Sequence, residues 1–104
     1  MTRRDALVGV IDALHAEIAA LKVNDIDALE RSTATKLGYI DALTKLGDGP
    51  SDAEMRALAD EAHRLNETCR IYVNLMAANV RRRLQDLTGS VPVYGARGTV
   101  GAYA

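Results

Sequence analysis

Residues 51–89 read SDAEMRALADEAHRLNETCRIYVNLMAANVRRRLQDLTG, and neither Gly nor Pro interrupts them before Gly89. This pattern predicts one long helix from Asp52 to Thr88. At its start, Ser51 and Glu54 have the spacing of a capping box, in which each side chain accepts from the backbone amide of the other. At its end, Gly89 suits the left-handed residue that follows a helix. At 1.5 Å per residue the predicted helix is roughly 55 Å long.

An apolar stripe runs the whole length of this predicted helix. Its members advance by 4, 3, 4, 4, 3, 4, 4 and 3 residues, which is 29 residues in eight steps. That period of about 3.6 keeps the stripe on one face of a straight helix. The stripe consists of Leu58, Ala62, Leu65, Cys69, Val73, Met76, Val80, Leu84 and Leu87.

Two shorter helices are predicted upstream, from about Arg4 to Lys22 and from Ile26 to Leu46. The second is more polar in its middle, whereas the first carries an a/d seam of apolar residues, namely Leu7, Ile11, Leu14, Ile18 and Leu21. Only Val23-Asn24-Asp25 separates them, and Asn24 or Asp25 is expected to cap the second helix. The turn at residues 47–50, Gly-Asp-Gly-Pro, then folds the third helix back. The sequence therefore predicts an all-α protein, an antiparallel bundle or coiled coil of three helices with a long third helix.

The two upstream helices are each roughly 30 Å long and cannot cover the third. Pairing is expected to end at about Tyr72, so the stripe beyond it lacks an intramolecular partner. Exposed apolar stripes of this kind mark association surfaces.

Composition narrows the class of partner. The 104 residues include 13 basic and 14 acidic side chains, and Trp and Phe are absent. A chain of this charge and composition has no electrostatic attraction to nucleic acid and few aromatic stacking surfaces, so a protein partner, or a second copy in a homo-oligomer, is expected. The single cysteine, Cys69, is interpreted as a small buried hydrophobe in a reducing compartment. Acidic residues interrupt the N-terminus and no long apolar run occurs, which predicts a cytoplasmic protein without membrane insertion.

Catalytic and metal-binding patterns are weak. His63 lies near Asp60 and Glu67, but this spacing is more simply explained by surface pairs on a helix, so no metal or other cofactor is expected. The chain is predicted not to be an enzyme. The alternative is a small all-helical enzyme of the chorismate mutase type, which needs cations converging on two carboxylates. Its candidate cations are Arg3, Arg4, Lys36, Arg70 and Arg81.

Residues 90–104 contain glycines at positions 95, 98 and 101, a proline and no acidic residue. They are predicted to form a flexible tail after a helical domain at residues 1–89. The tail retains Val91, Val93 and Tyr94, so both an inert end and a short docking segment remain open.

Three segments carry a resemblance to a known family. They are EIAALKVNDIDALE at residues 17–30, the asparagine-punctuated run from Leu65-Asn66 to Asn79, and VYGARG at residues 93–98. With these, the chain resembles the FlgN-type flagellar export chaperones along nearly its whole length. It differs in the short connection between helices 2 and 3 and in Ala96-Arg97, where the family commonly has an acidic residue.

The resemblance implies a function in the flagellar type III secretion pathway. Such chaperones bind the C-terminal segment of the hook-associated proteins at the hook-filament junction in the cytoplasm and deliver them to the flagellar export gate. Tyr94 would then help dock the chaperone on the export apparatus. A structural coiled-coil dimer or adaptor remains an alternative, because it would bury the same stripe. The expected client-binding residues are Leu65, Cys69, Tyr72, Val73, Met76, Val80, Leu84 and Leu87.

Overall fold

The protein is built from three α-helices. A computed structural model describes residues 1–47, 49 and 52–88, and in these ranges α1 spans Arg3–Lys22, α2 spans Ile26–Leu46 and α3 spans Ala53–Leu87. The all-α prediction with a long third helix is confirmed. The predicted helix-ending Gly89 and the predicted tail at residues 90–104 lie outside the described residues.

Side chains near the helix ends set the beginnings of α1 and α2. The Thr2 hydroxyl accepts from the Asp5 amide, and the Asp5 carboxylate accepts from the Thr2 amide, both at 3.0 Å. For α2, Asp25 rather than Asn24 is the cap, because its Oδ1 accepts from the Ala28 amide at 3.0 Å. Asn24 instead takes the left-handed conformation, with φ of 60°, which asparagine tolerates better than most residues.

The expected cap of α3 is corrected by one residue. Asp52 Oδ1 accepts from the Met55 amide at 2.8 Å, so Asp52 occupies the position predicted for Ser51, and Ser51 itself lies outside the described residues. A carboxylate at this end also interacts favourably with the positive end of the helix dipole. Glu54 forms an exposed ion pair, with its Oε2 3.0 Å from Arg4 Nε.

The chain divides into two compact units, Met1–Val73 and Asn74–Ala104, and their boundary falls within α3. In the first unit, α1 and α2 run antiparallel, because Gly9 faces Tyr39 while Glu17 contacts Thr33. Residues 53–73 of α3 run parallel to α1.

Helix α1 is the centre of the first unit because both other helices pack against it. The predicted seam is confirmed at Leu7, Ile11, Leu14 and Leu21, whereas Ile18 is only partly buried. The buried residues of α1 extend beyond the a/d seam. The described part of α3 adds only Cys69 to the buried set, and α2, all of whose residues are described, adds none. The buried residues of α1 are Ala6, Leu7, Gly9, Val10, Ile11, Ala13, Leu14, Glu17, Ala20 and Leu21.

In the second unit, helical structure continues from Asn74 to Leu87. Its large apolar side chains are mostly exposed, as described below.

Among the helices of the described residues, none has the length and apolar character required to cross a membrane.

Candidate functional site

The predicted client-binding residues fall into both units. Within the first unit, Leu65 and Tyr72 are partly buried, Cys69 is buried, and Val73 is half exposed. Among these four residues, Val73 therefore offers the most free surface and Cys69 the least.

Four residues of the second unit form an apolar row on α3. Met76, Val80, Leu84 and Leu87 follow one another at spacings of 4, 4 and 3 residues, which places them on one side of the helix. Met76 is partly buried, whereas Val80 is 54% exposed, Leu84 55% and Leu87 82%. We refer to these four residues as the terminal stripe. Burying such side chains against a partner contributes about 25 cal/mol for each Å² removed from water.

Cys69 belongs to the core of the first unit. Its Sγ lies 3.9 Å from the Leu14 carbonyl oxygen and 3.8 Å from Glu17 Oε1. Burial, together with the nearby Glu17 carboxylate, raises the pKa of the Cys69 thiol. A buried, protonated thiol is a poor nucleophile, and Cys69 is buried where α3 meets α1, so its place among the client-binding residues stays a prediction.

A buried carboxylate joins all three helices in the first unit. The Glu17 side chain is 5% exposed, and Lys36 Nζ donates to its Oε1 at 3.1 Å. The Thr33 hydroxyl donates to Oε2 at 2.6 Å. With the Cys69 sulfur on the third side, α1, α2 and α3 all contribute to this cluster. Removing one partner of a buried ion pair costs more free energy than forming the pair gains. A shift of the helices that separated Glu17 from Lys36 would therefore be destabilising. The cluster thus favours a single register of the helices.

An open cavity of about 380 Å³ lies beside this cluster. Glu17, Thr33 and Lys36 form its polar part, and Leu21, Leu29 and Val73 form apolar walls. Asn66 and Arg70 line it from α3. The volume falls within the range of ligand-binding pockets, and the lining combines apolar walls with a few convergent polar groups.

Sequence reasoning missed this cluster and cavity. The polar middle of α2 is apparent from the sequence, whereas Glu17 counts there only among the acidic residues near the N-terminus. A signal existed: Glu17 is in helical register with the apolar residues Ala13, Leu14, Ala20 and Leu21, so it points towards the side of α1 that packs. A carboxylate in that position requires partners, and Thr33 and Lys36 supply them.

The structure brings together some of the cations considered for an enzyme. Lys36 and Arg70 line the same cavity, but Lys36 is bonded to Glu17 and Arg70 to Glu67. Arg4 is paired with Glu54 at the surface. In the described part of the chain, no group of three or more His, Cys, Asp or Glu side chains is arranged to hold a metal ion. Tyr94, the expected docking residue, lies outside the described residues.

Comparison of the chain with protein-family models, with curated proteins and with solved structures finds no match.

Proposed function

We propose that this protein is a cytoplasmic export chaperone of the FlgN type. In this proposal it binds the C-terminal segment of a hook-filament junction protein and delivers it to the flagellar type III export apparatus. The proposal combines the three sequence segments of the resemblance with one structural observation, the exposed terminal stripe on α3.

The terminal stripe carries the proposal because an exposed apolar row favours association with a partner that can cover it. Val80, Leu84 and Leu87 lie on a single helical face, and each is more than half exposed. An amphipathic segment of a client would bury them by packing helix against helix. Apolar burial of this kind requires neither nucleotide nor metal.

The experiment is a binding measurement with a defined client. The full chain is mixed with the purified C-terminal segment of each hook-filament junction protein from the same cell, and binding is followed by calorimetry in buffer containing a metal chelator and no nucleotide. We expect a complex with a negative heat-capacity change, the signature of apolar burial. If no junction protein binds, or if binding requires ATP or a divalent ion, the proposal fails.

The structural coiled-coil dimer is the competing use of the same stripe. Sedimentation of the isolated chain at several concentrations separates the two. If the chain forms a stable dimer that dissociates when Val80 and Leu84 are changed, and if it binds no junction protein, the structural dimer is favoured over the chaperone.

A further inference from the structure

Two arginines flank the terminal stripe on α3. Arg83 follows Val80 by three residues, and Arg81 precedes Leu84 by three. Residues three apart are neighbours on a helix surface, so at about 100° per residue the two arginines lie on opposite sides of the apolar row. Arg82 is two residues from both Val80 and Leu84 and therefore lies on the other face of the helix. All three arginines are exposed.

The two flanking arginines have no acidic partner in the described part of the chain. Arg82 Nη2 donates to Asn79 Oδ1 at 3.4 Å. Among the residues that the structure describes, by contrast, no ion pair or hydrogen bond includes the guanidinium of Arg81 or Arg83. Even Asp86, three residues after Arg83, is not bonded to it. The N–H donors of both groups are therefore available to a partner.

The helix dipole does not account for these charges. A cation interacts favourably with the negative end of a helix within the last turn. Helix α3 ends at Leu87, and no residue of its last turn is basic. The arginines lie further back along the helix, so neither an intramolecular ion pair nor the helix end explains the two that flank the stripe.

The net charge of this segment indicates what would cover the stripe. Residues 74–88 contain three arginines and one aspartate, a net charge of +2, whereas the whole chain carries −1. A second copy of the segment would bring the same positive charge against the flanking arginines, and like charges across an interface are unfavourable. Carboxylates on both sides of a partner's apolar face would accept charge-assisted hydrogen bonds from Arg81 and Arg83. The occupant that fits is an acidic amphipathic helix.

An anionic lipid surface would also attract the arginines, but the apolar face suits it less well. Helices that lie in the membrane interface commonly place Trp or Phe with Leu on their apolar side. The chain has neither Trp nor Phe. The terminal stripe is a single row between two arginines, which matches the narrow seam formed with one partner helix.

We propose that the terminal stripe binds an amphipathic helix of the client whose apolar face is flanked on both sides by Asp or Glu, and that Arg81 and Arg83 recognise those carboxylates. Val80, Leu84 and Leu87 pack against the apolar face, and the two arginines donate to the carboxylates beside it. The inference rests on the proposed function in taking the partner to be a client of the chaperone. It adds the charge pattern by which the client is selected.

The test is a titration of the full chain with two synthetic helical peptides at low salt. Both carry leucines at positions i, i+3 and i+7, and the positions on both sides of the leucines are glutamate in one peptide and glutamine in the other. The glutamate peptide should bind about tenfold more tightly, because each flanking arginine gains a carboxylate partner. Added salt should reduce the difference, since it screens exposed charges. Equal affinity at low salt would overturn the inference.

Substitutions of the arginines identify the groups that recognise the charge. Arg81→Gln together with Arg83→Gln should weaken binding of the glutamate peptide about tenfold and leave binding of the glutamine peptide nearly unchanged. The control, Arg82→Gln with Arg64→Gln, removes the same charge at two exposed positions away from the stripe and should preserve the preference for glutamate. If both double variants lose the preference equally, the chain responds only to overall charge and the inference fails.

Backbone amide shifts of the wild-type protein locate the peptide without any variant. Addition of the glutamate peptide should shift the signals of Val80, Leu84 and Leu87. Shifts confined to the first unit would overturn the inference. So would binding to vesicles of anionic phospholipid, or formation of a dimer through the stripe, if neither peptide binds.

Failure of this inference can be distinguished from failure of the proposed function. If no junction protein binds but the glutamate peptide binds at the stripe with the expected preference, only the proposed function fails. If a junction protein binds the wild type and the variant at Arg81 and Arg83 equally well, the inference fails and the proposed function stands.

Discussion

The ring of Tyr39 in α2 packs directly on the backbone of Gly9 in α1. A Cβ placed on Gly9 would lie 2.5 Å from Cε1 of Tyr39 and 2.6 Å from its Cδ1. Any side chain at position 9 therefore requires the ring to move. This contact allows α1 and α2 to approach closely at one end of the first unit, while Glu17 and Lys36 join them further along.

Gly9→Ala is expected to destabilise the protein. Helix propensity alone favours Ala over Gly by about 0.8–1.0 kcal/mol, but overpacking typically costs about 1–3 kcal/mol. The steric term should prevail, with a net loss of about 1 kcal/mol in the free energy of unfolding. Thermal unfolding followed by circular dichroism measures this.

Gly38→Ala is the matched control on α2. Nothing lies within 4 Å of a Cβ placed there, so only the propensity term acts, and stability should rise by about 1 kcal/mol. If both substitutions stabilise the protein, the Tyr39 ring moves freely and the packing of α1 on α2 does not depend on Gly9.

The ion pair between Glu17 and Lys36 should show strong coupling in a double-mutant cycle. Lys36→Met leaves the Glu17 charge buried without its cation, which is expected to cost about 3–5 kcal/mol. The double variant Glu17→Leu, Lys36→Met removes both charges and should be close to the wild type, because an apolar replacement of a buried pair is often neutral. Urea unfolding of the four proteins gives the coupling energy. Additive losses would show that solvent screens the pair.

Cys69 should react slowly with thiol reagents in the native protein. Its pKa is raised by burial and by Glu17, so the reactive thiolate is scarcer at neutral pH than in the unfolded chain. Because the folded pKa is the higher one, the associated stability is present below the unfolded pKa of the thiol and is lost as pH rises through the folded pKa. Modification rates from pH 7 to pH 10, with and without denaturant, test this. Equal rates in both conditions would place the thiol at the surface.

Changing Val80 and Leu84 together to Glu should abolish client binding and leave the fold intact. Both side chains are more than half exposed, so the introduced charges lie largely outside the core. Ala78→Glu with Gln85→Glu adds the same charge at two other exposed positions of the second unit and is the control. Calorimetry measures binding, and circular dichroism measures helicity. If the variant at Val80 and Leu84 loses helicity and the control variant does not, then Val80 and Leu84 contribute to the core of the protein.

Removing the segment after Gly89, or changing Tyr94 to Ala, should separate client binding from delivery. A glycine-rich segment is expected to bury little surface, so thermal stability and client affinity should stay nearly unchanged. Export of the client should fall, because recruitment to the secretion apparatus weakens. Secretion assays with the variant measure this. Normal export would remove Tyr94 from the proposed docking role, and unfolding of the truncated protein would mean that the segment packs on the helices.

Local chemistry made most of the helices predictable from the sequence. A helix forms through bonds between residues four apart, so caps, glycines and apolar periodicity indicate its limits. Asp25, Gly47 and the uninterrupted stretch of α3 all act at this range, and the bounds of α2 agree with the prediction. The α3 cap shifted from Ser51 to Asp52 because adjacent polar residues compete for one position.

Only the tertiary structure decided which faces are covered. Burial depends on what neighbouring helices place against a residue, and sequence spacing does not contain that information. The periodicity of α3 was the clearest in the chain, yet α1 became the buried helix because α2 and α3 both pack against it. The same packing placed Glu17 among Thr33, Lys36 and Cys69, set Tyr39 on Gly9 and formed the cavity beside Glu17, since each of these requires residues from separate helices to meet.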